Sequence, residues 1–239
     1  MFINNSNNPD NLYKPDNPNN PPDNPDNPDN PDTNHNLYNL DKKVFKKPFR
    51  DTTLLFDDVS IYSSTPDTVS YIWINEFSKL LGPNLTVFDA CACVGGDTIP
   101  FGRYFKSVIA CEINKDRFGL LNKNIQLKYL KYKIKTFCLD FRVLIGCDDY
   151  ITDIIFLDLP WGGRTYNRDN FKLSDIIIEN NIEYDIPQQN GFEIVNNIIS
   201  LKKYKYIILK LPINANETEF NYSFWRYFRK MKYGIIKVV

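Results

Sequence analysis

The stretch DIIFLDLPWGG, residues 153–163, places three residues of chemical interest at the end of an apolar run. Asp158, Pro160 and Trp161 follow the apolar residues at once, and two glycines come next. A carboxylate accepts hydrogen bonds, and a proline stiffens the turn that carries it. An indole ring beside Gly-Gly at the end of a strand is expected to contact a ligand rather than to pack in the core. The stretch therefore predicts a binding or catalytic site at the mouth of a buried strand.

Polar residues and glycines follow neighbouring apolar runs in the same way. The segment DACACVGGDT begins at Asp89 and carries Gly95 and Gly96 towards a helix, while Glu112 and Asp140 close the next two runs. Adjacent glycines let the backbone approach a ligand, and the free N–H groups of a helix start favour a negative group. A carboxylate at the second strand's tip is placed to accept hydrogen bonds from both ribose hydroxyls. The absence of G-x-G-x-x-G disfavours a nicotinamide or flavin cofactor.

Six apolar runs of strand length are expected to position these residues. They read LTVFDAC (85–91), SVIACEI (107–113), IKTFCLD (134–140), DIIFLDL (153–159), YIILKLP (206–212) and GIIKVV (234–239). The runs are continuous rather than alternating, as in strands that are covered on both faces. Helix-sized or loop-sized intervals separate the first four, so the sequence predicts a doubly wound, mostly parallel α/β sheet with ligands at the carboxyl ends of its strands.

Two helices are predicted beside this sheet. Thr65 and Pro66 have the signature of a helix start, with Thr65 as the capping residue, and apolar residues recur at helical spacing up to Gly82. WRYFRKMK, residues 225–232, is interpreted as an amphipathic helix whose basic side chains extend to solvent. Only GIIKVV would then follow it, so a short sheet is expected.

The first 46 residues are expected to lie outside this domain. They are dominated by Asn, Pro and Asp with an Asn-Pro-Asp repeat, and such a composition predicts a disordered, extended tail. Without residues 1–46 the chain carries 25 basic and 22 acidic groups, a net charge of +3. That balance permits contact with nucleic acid without demanding a long phosphate track. The remainder, residues 47–239, is predicted to be one domain.

Cysteine and histidine usage excludes some kinds of chemistry. The five cysteines lie mostly in apolar runs, and no signal peptide or membrane-length segment is present, which predicts reduced thiols inside the cell and no membrane contact. The only histidine, His35, lies in the tail. A Cys/His metal site and a histidine-dependent triad are therefore not expected.

The motif order resembles that of the trimethylguanosine synthase family, the RNA cap guanine-N2 methyltransferases with the class I methyltransferase fold. In that family Asp-Ala-x-x-Gly-Val-Gly-Gly-Asn-Thr-Ile precedes Pro-Pro-Trp-Gly-Gly, and here DACACVGGDTI precedes LPWGG. FDDVSIYSSTPDTV (56–69) and LKLPINANETEF (209–220) resemble two further segments of the family. The likeness covers about residues 54–220, which implies that residues 47–239 are a Rossmann-like methyltransferase domain.

The resemblance implies S-adenosyl-L-methionine as cofactor and capped RNA, carrying a 7-methylguanosine (m7G) cap, as partner. The implied cofactor-binding set is Asp89, Cys93, Gly95, Gly96, Glu112, Asp140 and Thr65. Trp161, Tyr166, Ser63 and Asn214, with Thr65 nearby, match positions close to the cap. A monomer that needs no metal is expected. The Asn-, Ile-, Lys- and Tyr-rich composition fits an AT-rich genome such as that of a large DNA virus.

The resemblance also gives the opening motif a chemical role. An exocyclic amine is a poor nucleophile, because its lone pair is delocalised into the ring, so it must be held in line with the methyl donor. Asp158 or the carbonyl of Leu159 would accept the amine's hydrogen, and Pro160 would aim them. Trp161 would stack on the cationic 7-methylguanine, with an attraction of roughly 1 to 3 kcal/mol.

Departures from the family leave two alternatives open. Cys93 stands where the family has glycine, Asp158-Leu159 replaces Ser-Pro, and Ile213 replaces a basic residue. Asp-x-Pro-Trp also matches adenine-N6 methyltransferases of nucleic acids, although the segments around residues 56–69 and 209–220 argue against that assignment. A cap-binding protein with impaired catalysis is the third interpretation.

Removal of residues 1–46 is expected to leave both the melting temperature and the activity on a cap dinucleotide unchanged, because these residues bury almost no apolar surface. Differential scanning calorimetry and a methyl-transfer assay of the truncated and full-length proteins check this. A drop of several degrees on truncation would contradict the assignment of the tail.

Overall fold

Seven strands form one sheet in the computed structural model, which describes residues 53–162, 169–228 and 230–239. Together with a separate pair of short strands, the described residues contain β1 (Thr86–Asp89), β2 (Ser107–Cys111), β3 (Ile134–Phe137), β4 (Ile154–Leu157), β5 (Ile177–Ile178), β6 (Gln189–Asn190), β7 (Tyr206–Pro212), β8 (Tyr222–Tyr227) and β9 (Met231–Lys237). The sheet has the order β3-β2-β1-β4-β7-β9-β8, and the short β5 and β6 pair separately. Residues 1–46, predicted to be a tail, lie outside the described residues, so the tail and its boundary stay predictions.

The sheet is doubly wound and mostly parallel, as predicted. β3, β2, β1, β4 and β7 run parallel to their neighbours, while β9 is antiparallel to both β7 and β8. Each of the six predicted runs overlaps one strand of this sheet. Continuous apolar runs were a reliable signal because β4 and most of β7 are buried on both faces.

Helices cover both faces of the sheet. They are α1 (Ser60–Ser63), α2 (Asp67–Leu81), α3 (Thr98–Tyr104), α4 (Lys115–Leu127), α5 (Phe141–Ile145) and α6 (Gly191–Leu201). Buried residues of α2, α3 and α4 form one apolar core with the sheet, and those of α5 and α6 form a second core on the other face. The sheet is therefore the middle of three layers.

Helix α2 confirms the predicted amphipathic run, but its predicted cap was wrong. Trp73 and Phe77 are fully buried, and their rings meet edge to face with centroids 5.2 Å apart. Pro66 occupies the N-cap position, where no side chain bonds to the helix. The hydroxyl of Thr65 donates instead to Asp97, because this buried acceptor competes with the free N–H groups of the helix.

The helix predicted over residues 225–232 was wrong, and so was the short sheet. The described residues of the segment belong to the hairpin of β8 and β9. Adjacent rings of β8 lie on opposite faces: the Phe224 ring is 5.7 Å from that of Phe77 on the α2 face, and the Trp225 ring is 4.2 Å from that of Tyr222 on the other face. Pairing of β9 with the buried β7 outweighs the local helical pattern.

Gly234 of β9 lies beneath two rings of β8, so its replacement by alanine should destabilise the hairpin. A Cβ at this position would lie 2.7 Å from Trp225 Cζ3 and 2.7 Å from Tyr222 Cδ1. We expect Gly234→Ala to cost about 1 to 3 kcal/mol in the free energy of unfolding, measured with urea. Gly119→Ala is the matched control, because a Cβ there meets nothing within 4 Å in helix α4. It should stabilise by roughly 0.5 to 1 kcal/mol, and equal losses in both variants would contradict the packing.

Candidate active site

The carboxyl ends of β1, β4 and β7 lie side by side, and we call this edge of the sheet the site edge. Leu157 of β4 pairs with Leu209 of β7, which makes the next residues, Asp158 and Lys210, neighbours across the two strands. The order of strands reverses between β1 and β4, and doubly wound sheets bind ligands in the crevice at such a point. Residues 158–161, Asp-Leu-Pro-Trp, therefore lie at the crevice in which proteins of this fold bind ligands.

Lys210 is the centre of a buried charge network at the site edge. Its Nζ lies 2.5 Å from Asp158 Oδ2, 2.6 Å from Thr65 Oγ1 and 3.8 Å from Asp97 Oδ2. The Lys210 side chain is 3% exposed and that of Asp158 20%. Burial raises the pKa of Asp158 to about 6 against the attraction of Lys210. Burial acts to lower the pKa of Lys210, but the two carboxylates outweigh it, so the pKa lies above its ordinary value and the ion pair is formed at neutral pH.

Asp97 connects this network to helix α2. Its Oδ1 accepts a hydrogen bond from Ser70 Oγ at 2.7 Å, and its Oδ2 accepts one from Thr65 Oγ1 at 2.5 Å. Asp97, Ser70 and Thr65 are all buried. Because Thr65 also accepts from Lys210, both the donor and an acceptor site of its hydroxyl are used inside the protein. The predicted place of Thr65 in the cofactor-binding set stays a prediction.

Asp89 at the tip of β1 anchors the start of helix α3. Its side chain accepts hydrogen bonds from Thr98 Oγ1 at 2.6 Å and from the backbone N–H of Cys91 at 3.3 Å. Burial raises the pKa of Asp89 to about 7, the bond from Thr98 opposes this rise, and the nearby charge of Asp97 adds to it. The carboxyl group thus fixes the segment that enters the glycine turn.

The glycine turn between β1 and α3 has the backbone that its sequence predicts. Gly95 has a φ of 100°, and a Cβ on Gly96 would lie 3.2 Å from the carbonyl oxygen of Thr65. Cys93 has a φ of 51°, a left-handed conformation that glycine adopts without strain. Its Sγ lies 3.7 Å from Ser63 Oγ, so the structure brings these two predicted site residues together.

Glu112 stands at the tip of β2, where the sequence predicts a ribose-binding carboxylate. Its side chain is buried, and its Oε1 accepts from the backbone N–H of Asn114 at 2.8 Å and lies 3.5 Å from Arg117 Nε. Both contacts use Oε1. Within the described residues, Oε2 therefore remains available to a ligand.

Asp140 lies at the tip of β3 and caps helix α5. It accepts from the backbone N–H of Arg142 at 3.0 Å and from its guanidinium Nη2 at 2.7 Å, and Asn181 Nδ2 adds a bond of 3.3 Å. Burial acts to raise the pKa of Asp140, but the bonds from Arg142 outweigh it and hold the pKa below its usual value. Arg142 also donates to the carbonyls of Glu179 and Pro187, so the pair ties residues 179–187 to the sheet. The place of Asp140 in the cofactor-binding set stays a prediction.

Trp161 lies half-buried beside the ion pair. The Lys210 Nζ is 5.7 Å from the centroid of its ring, and its buried indole N–H donates to no acceptor in the described part of the chain. Pro160 before it is exposed, and Asn214 is half-buried shortly after the end of β7. Tyr166 lies outside the described residues, so its predicted position near the cap stays a prediction.

Lys210 and Asp97, whose contacts hold the site together, were not predicted from the sequence. Lys210 had a readable signal, since it is the single charged residue in the apolar run YIILKLP. A lysine inside a continuous apolar strand must have a buried partner. Asp97 directly follows Gly95 and Gly96, where an acid is common in a turn and carries no such signal.

A family model described as RNA cap guanine-N2 methyltransferase matches residues 84–233, which is more than half of the chain. The chain belongs to this family. The resemblance predicted from the motif order is thereby confirmed, and the protein is a nucleic-acid methyltransferase. The matched residues include all seven strands of the sheet except part of β9.

Known proteins resemble this member of the family to different degrees. An uncharacterized protein of Acanthamoeba polyphaga mimivirus is 29% identical over 216 residues, covering 79% of this chain and 78% of that protein. A hypothetical protein of Thermus thermophilus has a TM-score of 0.58 and 10% identity, covering 79% of this chain and 95% of that one. A Porphyromonas gingivalis protein with a provisional methyltransferase assignment has a TM-score of 0.58 and 15% identity, covering 79% of this chain and 45% of that one. At these identities the two structures support the fold alone.

Residues 53–162, 169–228 and 230–239 contain no group of three His, Cys, Asp or Glu side chains placed to hold a metal ion. In these ranges no helix has the length and apolar character needed to cross a membrane.

The free energy of unfolding should fall as the pH rises from about 5.5 to about 7.5. A carboxyl group whose pKa is raised from 3.8 to about 7, as for Asp89, binds more protons in the folded than in the unfolded state over this window. Asp158, with a pKa of about 6, acts in the same direction. Urea unfolding at the two pH values should show a loss on the order of 2 kcal/mol.

Asp89→Asn is the control for this pH effect, because an amide keeps an acceptor for Thr98 and does not titrate. The variant should lose much of the pH dependence between about 5.5 and about 7.5. An identical dependence in Asp89→Asn and the unchanged protein would show that Asp89 is not the titrating group.

Proposed function

We propose that the protein transfers a methyl group from S-adenosyl-L-methionine to the exocyclic N2 amine of the 7-methylguanosine cap of RNA. The observation that carries this proposal is the half-buried Trp161 at the site edge, next to the ion pair of Asp158 and Lys210, in a chain of this family. An aromatic ring attracts a cationic ring more strongly than a neutral one, and 7-methylguanine is cationic.

The residues at the tips of β1 and β2 fit the proposed cofactor. The glycine turn offers backbone atoms where a side chain on Gly96 would crowd Thr65, and Glu112 Oε2 is available for the hydroxyls of a ribose. Both features lie at the carboxyl ends of adjacent parallel strands. S-adenosyl-L-methionine, when bound, supplies an electrophilic methyl group on its sulfonium.

Asp158 is the residue best placed to handle the amine. Its carboxylate is ionised at neutral pH and accepts a hydrogen bond from the amine, which favours localisation of the nitrogen lone pair. Lys210 fixes the orientation of this carboxylate through Oδ2, so Oδ1 is the oxygen that faces the substrate in this proposal. Pro160 restricts the backbone between the acid and Trp161, and thus the distance between acceptor and stacking ring.

Adenine-N6 methylation is the second candidate, since a carboxylate in Asp-x-Pro-Trp is the acceptor that such a reaction uses. The presence of Asp158 in this motif favours adenine-N6 methylation. The two candidates differ in the charge of the base that meets Trp161, so base selectivity separates them. The intracellular location and the monomeric state of the protein remain predictions.

Trp161→Ala should weaken binding of the cap nucleotide m7GDP by about 1 to 3 kcal/mol, roughly a factor of 5 to 150, while affinity for S-adenosyl-L-methionine stays unchanged. Trp161→Phe should recover part of the loss, and the unchanged protein should prefer m7GDP to GDP. Isothermal titration calorimetry measures each affinity, with the melting temperature as a check on folding.

Glu112→Ala is the reciprocal control for Trp161→Ala. It removes a carboxylate that would accept charge-assisted bonds of about 1.5 to 3 kcal/mol each, so affinity for the cofactor should fall at least tenfold while m7GDP binds as before. Equal binding of m7GDP and GDP by the folded protein would reject the cap and favour adenine. Loss of both ligands together with a much lower melting temperature in Trp161→Ala would show a core role for the indole.

A further inference from the structure

The chain has an unusually basic segment that the proposed reaction does not use. Residues 117–137 contain six basic residues and no acidic one. The whole of residues 47–239 has a net charge of only +3, so this segment holds a larger positive excess than the domain itself. The segment comprises most of helix α4, the turn that follows it, and the edge strand β3.

The turn between α4 and β3 is held rigidly, so its outward side chains have fixed places. Leu130 is buried, its N–H donates to the carbonyl of Ile125 at 3.1 Å, and its own carbonyl accepts from Lys133 at 2.9 Å and Ile134 at 3.1 Å. Leu130 thus links the end of α4 to the start of β3 through its backbone hydrogen bonds. Tyr129, Lys131 and Tyr132, next to Leu130 in the chain, are exposed.

Two tyrosines project from this turn. Tyr129 and Tyr132 are each 83% exposed, and Tyr129 has a φ of 56°, which a non-glycine residue rarely adopts. An exposed ring gains nothing from burial in the fold, but it offers a flat face on which a base can stack. The two rings stand on either side of Lys131 in the chain.

Cations from a second element adjoin the turn. Arg103, at the end of α3, donates from Nη2 to the carbonyl of Lys128 at 3.0 Å, and the exposed Lys106 precedes β2, the neighbour of β3. We define the basic surface as Arg103, Lys106, Tyr129, Lys131, Tyr132 and Lys133. Among the described residues, none of its four cations pairs with a carboxylate.

We propose that the basic surface binds the RNA downstream of the cap, with its cations on backbone phosphates and its tyrosines stacked on unpaired bases. Paired basic and aromatic side chains are the usual means of holding single-stranded nucleic acid without regard to sequence. This assignment rests on the proposed function, because it takes RNA as the substrate. It adds a second contact region to the site edge.

The position of the basic surface determines which RNA reaches it. Helix α4 begins next to Glu112 at the site edge and runs for 13 residues, about 20 Å, towards the basic surface. In this proposal RNA must extend several nucleotides beyond the cap to contact both regions, whereas a cap dinucleotide contacts the site edge alone. The contribution of the basic surface to RNA affinity should therefore depend on the length of the RNA and not on the presence of the cap.

Charge reversal at two lysines tests the proposal in the full-length protein. Lys131→Glu/Lys133→Glu should bind a capped, unstructured 20-nucleotide RNA at least tenfold more weakly in about 0.1 M salt, with a shallower dependence of affinity on salt. Its affinity for a cap dinucleotide should be unchanged. Lys202→Glu/Lys237→Glu is the matched control, since both residues are exposed, lie at the end of α6 and in β9, and give the same change in net charge. Fluorescence anisotropy measures the RNA affinities.

Uncapped RNA of the same sequence separates this proposal from the proposed function. If capped and uncapped RNA bind alike but both bind more weakly to the Lys131/Lys133 variant, the cap assignment fails and the basic surface stands. Equal RNA affinity of the variant and the unchanged protein overturns the basic surface, as does an equal loss in the control variant.

Discussion

The site depends on one buried cation. Lys210 lies in β7, where every residue but the first is buried, and its charge faces a region that contains the carboxyl groups of Asp158, Asp97 and Asp89. Taking an ammonium group out of water costs several kcal/mol, which is offset only when opposite charges and hydrogen bonds surround it. One cation for three carboxyl groups also explains why burial raises the pKa of Asp89 to about 7, since full ionisation would leave uncompensated negative charge.

The same network fixes the geometry between elements that are far apart in the chain. Thr65 lies just before α2 and Ser70 within it, while Asp97 follows the glycine turn and Asp158 follows β4. Together with Lys210 they meet through hydrogen bonds of 2.5 to 2.7 Å. A shift of any one element breaks a buried bond at a cost of about 1 to 3 kcal/mol. The glycine turn and the motif with Trp161 therefore keep a constant separation, which a transfer between two bound ligands requires.

The hairpin of β8 and β9 makes this arrangement feasible. Strand β9 pairs with β7 over its full length, from Tyr206 to Pro212, and places the fully buried Tyr233 opposite Lys210. The segment between β4 and α6 is tied down on the other side, where Arg142 joins Asp140 to the carbonyls of Glu179 and Pro187. Both flanks of the site edge are thus closed by long-range contacts rather than by local sequence preference.

The sequence by itself determined the sheet, its parallel core and the edge at which a ligand is expected. Continuous apolar runs demand burial on both faces, and the motif order with Gly95, Gly96 and Trp161 was specific enough to indicate the family. Only the tertiary structure decided the hairpin and the partners of Thr65, Asp97, Lys210 and Asp140. The hairpin was misjudged because residues 225–232 carry a helical pattern that pairing with β7 overrides. The partners were out of reach because Lys210 and Thr65 are separated by 145 residues, and a hydrogen bond depends on distances in space that spacing along the chain does not encode.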